Sequence, residues 1–179
     1  MKERGLRSSL APRSAGGLPV GAIAELAETW RRHTNGATVT HDDRRFLRRA
    51  IELAAAGRAA GDAPFGSLLV GPNGTVLRED HNTVLSDGDV TAHPELKLAR
   101  WAARELEAST AAVTTIYTSC QPCSMCTGAI DRAGLGRVVF ALSNEQLADL
   151  KPSGGFPSVH QDGPFLFDEA CIPVDGYYL

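Results

Sequence analysis

Two helix starts about thirty residues apart constrain this chain more than any other feature. One is SCQPCSMC, residues 119–126, where Cys123 and Cys126 lie three apart immediately after Pro122. Residues three apart on a helix share a face, so both sulfurs can reach one point beside the first turn. The unpaired N–H groups and partial positive charge at a helix N-terminus favour thiolates there. Two soft anionic sulfurs and one imidazole nitrogen suit a tetrahedral zinc ion. Taken alone, the pair fits a redox dithiol or a structural zinc knuckle equally well.

The other start is TAHPELKLAR, residues 91–100, in which His93 and Glu95 flank Pro94. Two residues so spaced point to nearly opposite sides of an ideal helix and cannot share a site lateral to it. They can share a site beyond its end. Pro94 as the first helical residue makes His93 the cap and puts Glu95 in the first turn. Proline suits that position, because its missing N–H would be unpaired anyway. His93 is then the expected third ligand beside Cys123 and Cys126. Three protein ligands leave one zinc position open for water, as in catalytic rather than structural sites. Glu95, close but uncoordinated, is the expected proton carrier.

The rest of the chain narrows the partners. Residues 1–37 carry six Lys/Arg and three Asp/Glu; removing these from the totals of 18 and 21 leaves 12 basic and 18 acidic residues, a net charge of −6. So acidic a body argues against a nucleic-acid substrate, which needs a basic footprint. No apolar run approaches the ~20 residues of a membrane span, and Pro12, Arg13, Gly16, Gly17 and Pro19 interrupt any secretory signal. With four cysteines and no export signal, a cytoplasmic location is expected.

Residues 1–37 read as an N-terminal appendage, mostly disordered or with one short helix over Ala22–Arg32, and residues 38–179 as the functional domain. Thr40 caps a first helix with Phe46, Leu47, Ala50, Ile51, Leu53 and Ala54 on its apolar side, ending at Gly57 or Gly61. FGSLLVGPNGTVLRED predicts a hairpin turning at Pro72-Asn73-Gly74. A helix follows from Pro94 to about Ala108, then a buried strand over Val113–Ser119, a short helix after Pro122, a strand in GRVVFAL and a last short helix over Asn144–Leu150. The order α-β-β-α-β-α-β implies an α/β fold with helices packed on a mixed sheet. Cys120 and Cys171 read as buried small apolar residues.

DAPFGSLLV, Asn82 in HNTV, TAHPE and IYTSCQPCSMCTGAI, in that order, resemble the cytidine and deoxycytidylate deaminase superfamily over residues 40–142. The TSCQPCSMC stretch looks most like its guanine deaminase branch, beside the tRNA-adenosine branch. The resemblance implies a three-layer α/β/α fold with about five strands and a homodimer. It implies zinc on His93, Cys123 and Cys126, with Glu95 carrying protons. Asn82 would hydrogen-bond the ring edge, and the Ala92 backbone and Phe65 would line the pocket. Asn82 is also a natural turn residue, and Phe65 a natural core residue. Tyr177 and Tyr178 of the DGYYL tail could close over a flat base or simply pack. The implied reaction is hydrolytic deamination of a small base or nucleoside, guanine-like or cytosine/aminotriazine-like. A tRNA adenosine deaminase and a non-catalytic zinc-binding relative are the alternatives. Two departures stand out: Pro94 removes an N–H between the histidine and the glutamate, and neutral Gln121 stands where purine-type relatives often carry glutamate.

Overall fold

The computed structural model describes residues 40–150, 160 and 171–173. The expected helix over Ala22–Arg32 and the Tyr177–Tyr178 tail lie outside the described residues. Helix α1 (His41–Ala59) opens on a reciprocal capping box, Asp43 N–H donating to the Thr40 hydroxyl and Thr40 N–H to the Asp43 carboxylate. Its buried stripe is Asp43, Phe46, Ala50, Leu53, Ala54 and Gly57. Ile51, expected on that stripe, is 49% exposed because it falls on the flank of the contact face. The helix also runs past Gly57 and ends before Gly61, which takes φ +94°. Gly57 serves packing instead: a Cβ there would meet the His81 ring at 3.2 Å.

Strands β1 (Gly66–Val70) and β2 (Val76–His81) form the expected hairpin, with Gly74 at φ +78° in its turn. A four-residue helix, α2 (Val84–Asp87), which the periodicity does not predict, leads to α3 (Pro94–Glu105) and the short α4 (Ala108–Ala111). Strand β3 (Thr115–Cys120), helix α5 (Ser124–Arg132), strand β4 (Arg137–Leu142) and helix α6 (Asn144–Leu150) complete the described order. The sheet order is β2-β1-β3-β4, antiparallel except for the parallel pair β3–β4 joined through α5. Among the described residues the sheet has four strands rather than about five.

Two apolar clusters make the layers. On one face Phe46 and Ala50 of α1 pack on Leu68, Val70, Tyr117 and Val139. On the other, Leu98, Ala99 and Ala102 of α3 and Ile130 of α5 pack on Leu69 and Ile116. Each fully buried aliphatic side chain there contributes roughly 1.5–3 kcal/mol. The result is the expected three-layer α/β/α arrangement, with α3 and α5 side by side and their first turns at one end. No helix among the described residues is long and apolar enough to cross a membrane.

Candidate active site

His93 caps α3 with extended backbone (φ −73°, ψ 140°), Pro94 opens the helix and Glu95 lies in its first turn. The proline reading therefore holds. Cys123 caps α5 in the same manner (φ −69°, ψ 170°), so it stands just outside the helix rather than on its lateral face. Its side chain reaches over the first turn to Cys126, the third helical residue. The two sulfurs meet beside the first turn, as the three-residue spacing predicts.

The two helix starts converge. The Cys123 and Cys126 sulfurs are 3.6 Å apart, and His93 Nδ1 lies 3.6 Å from Cys126 Sγ and 3.9 Å from Cys123 Sγ. A tetrahedral zinc ion with Zn–S near 2.3 Å and Zn–N near 2.0 Å demands edges of about 3.8 Å between sulfurs and about 3.5 Å from sulfur to nitrogen. All three separations agree within about 0.4 Å, so the donor set fits a zinc ion in distance as well as in ligand type. His93 and Cys123 are half-buried and Cys126 buried.

Burial first, then the Glu95 carboxylate and Cys123, hold the Cys126 thiol well above the usual thiol range. This desolvation opposes the help that a helix start gives a thiolate. A divalent cation bound between these ligands would displace the thiol proton. Glu95 is 5% exposed, and burial raises its pKa against the opposing pull of its own backbone N–H, Thr118 and His93. Its Oε2 lies 3.8 Å from Cys126 Sγ, while Oε1 lies 3.1 Å from the Thr118 hydroxyl.

The other expected residues come together on the backbone. Asn82 N–H donates to Phe65 O at 2.9 Å, and Thr83 N–H to Ala92 O at 3.1 Å, stitching Phe65 and the Asn82-Thr83 segment to Ala92, the residue preceding His93. Asn82 is 1% exposed and its Oδ1 accepts from Val84 N–H at 3.0 Å, so it does shape a turn. Phe65 is half-buried. Gln121 serves the fold: its Oε1 accepts from Asn144 N–H at 3.0 Å, fastening the first turn of α6. Cys120 is buried as expected, whereas Cys171 is exposed.

Sequence reasoning missed Ser67, Lys97 and Thr118. Ser67 and Thr118 are fully buried hydroxyls in apolar strands. A polar residue inside a buried strand is the signal that could have found them. Lys97 Nζ lies 2.7 Å from both Asp80 Oδ1 and His81 O and 3.1 Å from Thr83 Oγ1. No local pattern announces that clamp.

The cytidine and deoxycytidylate deaminase zinc-binding region matches residues 40–142, the stretch containing both helix starts. The chain belongs to this family. The probable cytosine deaminase of Schizosaccharomyces pombe is 36% identical over 159 residues, 78% of this chain and 94% of that protein. The guanine deaminase of Bacillus subtilis is 36% identical over 131 residues, 73% of this chain and 78% of its own. Its crystal structure matches with a TM-score of 0.61 at 30% identity, covering 78% of this chain and 94% of that one. The tRNA-specific adenosine deaminase of Haemophilus influenzae is 33% identical over 102 residues, 57% of this chain and 59% of that protein. The family's chemistry, hydrolytic loss of ammonia from a cyclic amidine, is the class of reaction to which this chain is assigned.

Proposed function

We propose that this protein is a zinc-dependent hydrolytic deaminase of a small nucleobase or nucleoside, either a guanine-like aminopurine or a cytosine/aminotriazine-like ring. The carrying observation is the convergence of His93 Nδ1, Cys123 Sγ and Cys126 Sγ at 3.6–3.9 Å with the Glu95 carboxylate alongside. A structural zinc site has no use for a buried, uncoordinated acid, which favours catalysis over a binding module.

Zinc held by His93, Cys123 and Cys126 supplies a Lewis acid that makes water nucleophilic near neutral pH. The protein's own part runs through Glu95. Its carboxylate takes one proton of the attacking water and passes it to the ring nitrogen of the amidine, then moves the remaining proton of the added hydroxyl to the departing amine. One water is consumed, one ammonia leaves, and the ring carbon gains a carbonyl. Asn82 holds the ring edge, the Ala92 backbone bounds the pocket and Phe65 walls it. Pro94 offers no N–H, so backbone hydrogen bonds to the developing charge come from Glu95 or Cys123.

The acidic balance of residues 38–179, net −6, favours a small substrate over tRNA. The cytosine and guanine deaminases among the relatives support the same choice. A cytoplasmic homodimer, with residues 38–179 as the catalytic domain and residues 1–37 as an appendage, completes the proposal. It is supported by the family resemblance and the reducing environment that metal-binding thiols require. Zinc-loaded protein offered a panel of aminopurines, cytosine, aminotriazines and their nucleosides should release ammonia from one class. Turnover confined to a tRNA anticodon stem would overturn the small-substrate assignment.

A further inference from the structure

We propose that Thr118, backed by Ser67, is the positioning residue that anchors one oxygen of Glu95 and leaves the other to do the chemistry. This rests on the role given to Glu95 above. Register puts Ser67 of β1 directly opposite Thr118 of β3 on the face covered by α3. Two residues further along the same face the opposed pair is Leu69 and Ile116, both fully buried. The polar pair therefore sits at the site end of an otherwise apolar row, and both hydroxyls are 0% exposed.

The hydrogen-bond count is specific. Ser67 Oγ–H donates to Thr118 Oγ1 at 2.9 Å, occupying one lone pair. Thr118 then has one hydrogen and two acceptors in reach, Glu95 Oε1 at 3.1 Å and Cys120 O at 2.9 Å. Given to Glu95 Oε1, that hydrogen makes Thr118 the buried donor that fixes this oxygen, while Ser67 fixes the Thr118 hydroxyl in turn. Oε1 is tied to the sheet and Oε2 faces Cys126 Sγ at 3.8 Å, which selects Oε2 as the working oxygen. Through Cys120 O, the same hydroxyl also ties the end of β3, just before the turn to Cys123.

The test compares Thr118→Val, Thr118→Ser and the double variant Ser67→Ala/Thr118→Val with the parent. The double variant removes both hydroxyls, so no buried donor is orphaned if valine alone disturbs folding. Thr118→Val should lower kcat roughly tenfold to a hundredfold, as expected for a displaced catalytic group. KM for the base and zinc content by atomic absorption should stay at parent values, and Thr118→Ser should recover kcat to within about threefold. A crystal structure of zinc-loaded Thr118→Val should show Glu95 turned from its parent position. Parent-like kcat in either folded, zinc-loaded valine variant sinks the inference. So does loss of zinc or of folding in both, which would give the hydroxyl a structural role only. A parent that turns over no base fails the proposed function itself, and this inference falls with it.

Discussion

Lys97 Nζ lies 2.7 Å from Asp80 Oδ1, an ion pair that ties helix α3, capped by His93 and carrying Glu95 in its first turn, to the end of β2. Both side chains are largely shielded, at 19% and 24% exposed. The same ammonium also grips His81 O and Thr83 Oγ1 on either side of Asn82. Lys97→Met should cost about 1–3 kcal/mol, since it leaves a shielded carboxylate and a carbonyl without their charged donor. It should also raise KM more than it lowers kcat, because the Asn82 segment loosens while His93 and Glu95 stay in place. Urea denaturation and steady-state kinetics check the two parts separately.

Glu95→Ala should keep zinc and lose at least about a hundredfold in turnover, the usual contribution of a positioned proton carrier. Cys123→Ala should lose both metal and activity. Metal analysis beside ammonia release separates the two, and equal activity of Glu95→Ala and parent would rule out the catalytic reading of the acid.

Zinc loading should raise the thermal midpoint and a chelator should lower it. At a free-ion concentration a thousandfold above Kd, binding to the folded state alone stabilises by about 4 kcal/mol. The Cys126→Ala protein should show no such shift in a thermal scan with and without zinc.

Asp43 carries the expected acid sensitivity of the fold. It is 1% exposed and accepts from Arg137 at 2.8 and 3.1 Å, from Tyr117 Oη–H at 2.7 Å and from Thr40 N–H. The Arg137 guanidinium, ahead of the opposing burial, holds its carboxyl well below the ordinary carboxylate range. The folded state therefore binds this proton less readily than the unfolded one. The stabilisation is whole above the unfolded pKa of about 3.9 and drains away as pH falls further, through the folded value. Asp43→Asn should flatten the acid limb of a stability–pH curve and cost on the order of 2 kcal/mol at neutral pH. Unchanged acid sensitivity in that variant would contradict the assignment.

Gly66→Ala should destabilise by about 3 kcal/mol or more, because overpacking against backbone leaves nothing free to yield. A Cβ there would lie 2.5 Å from Ala50 O, Ala54 N and Leu53 Cβ, where α1 rests on β1. A chemical denaturation midpoint equal to the parent's would show that the helix can lift away.

By itself, the sequence determined the features that act over a few residues. Pro94 and Pro122 mark the two helix starts, Thr40 and Asp43 cap α1, and Asn73-Gly74 turns the hairpin. Ligand chemistry was legible for the same reason, since a histidine cap and a Cys-x-x-Cys start can be read without knowing what lies opposite. Only the tertiary structure decided that Cys123 is a cap rather than a helical residue, that Ile51 faces out, and that Gln121 holds α6. It alone set Ser67 against Thr118, 51 residues away, and Lys97 against the Asn82 segment. Such pairings follow from strand register and from the angle at which helices cross a sheet. Those are set by the packing of the whole core, and no local run of residues encodes them.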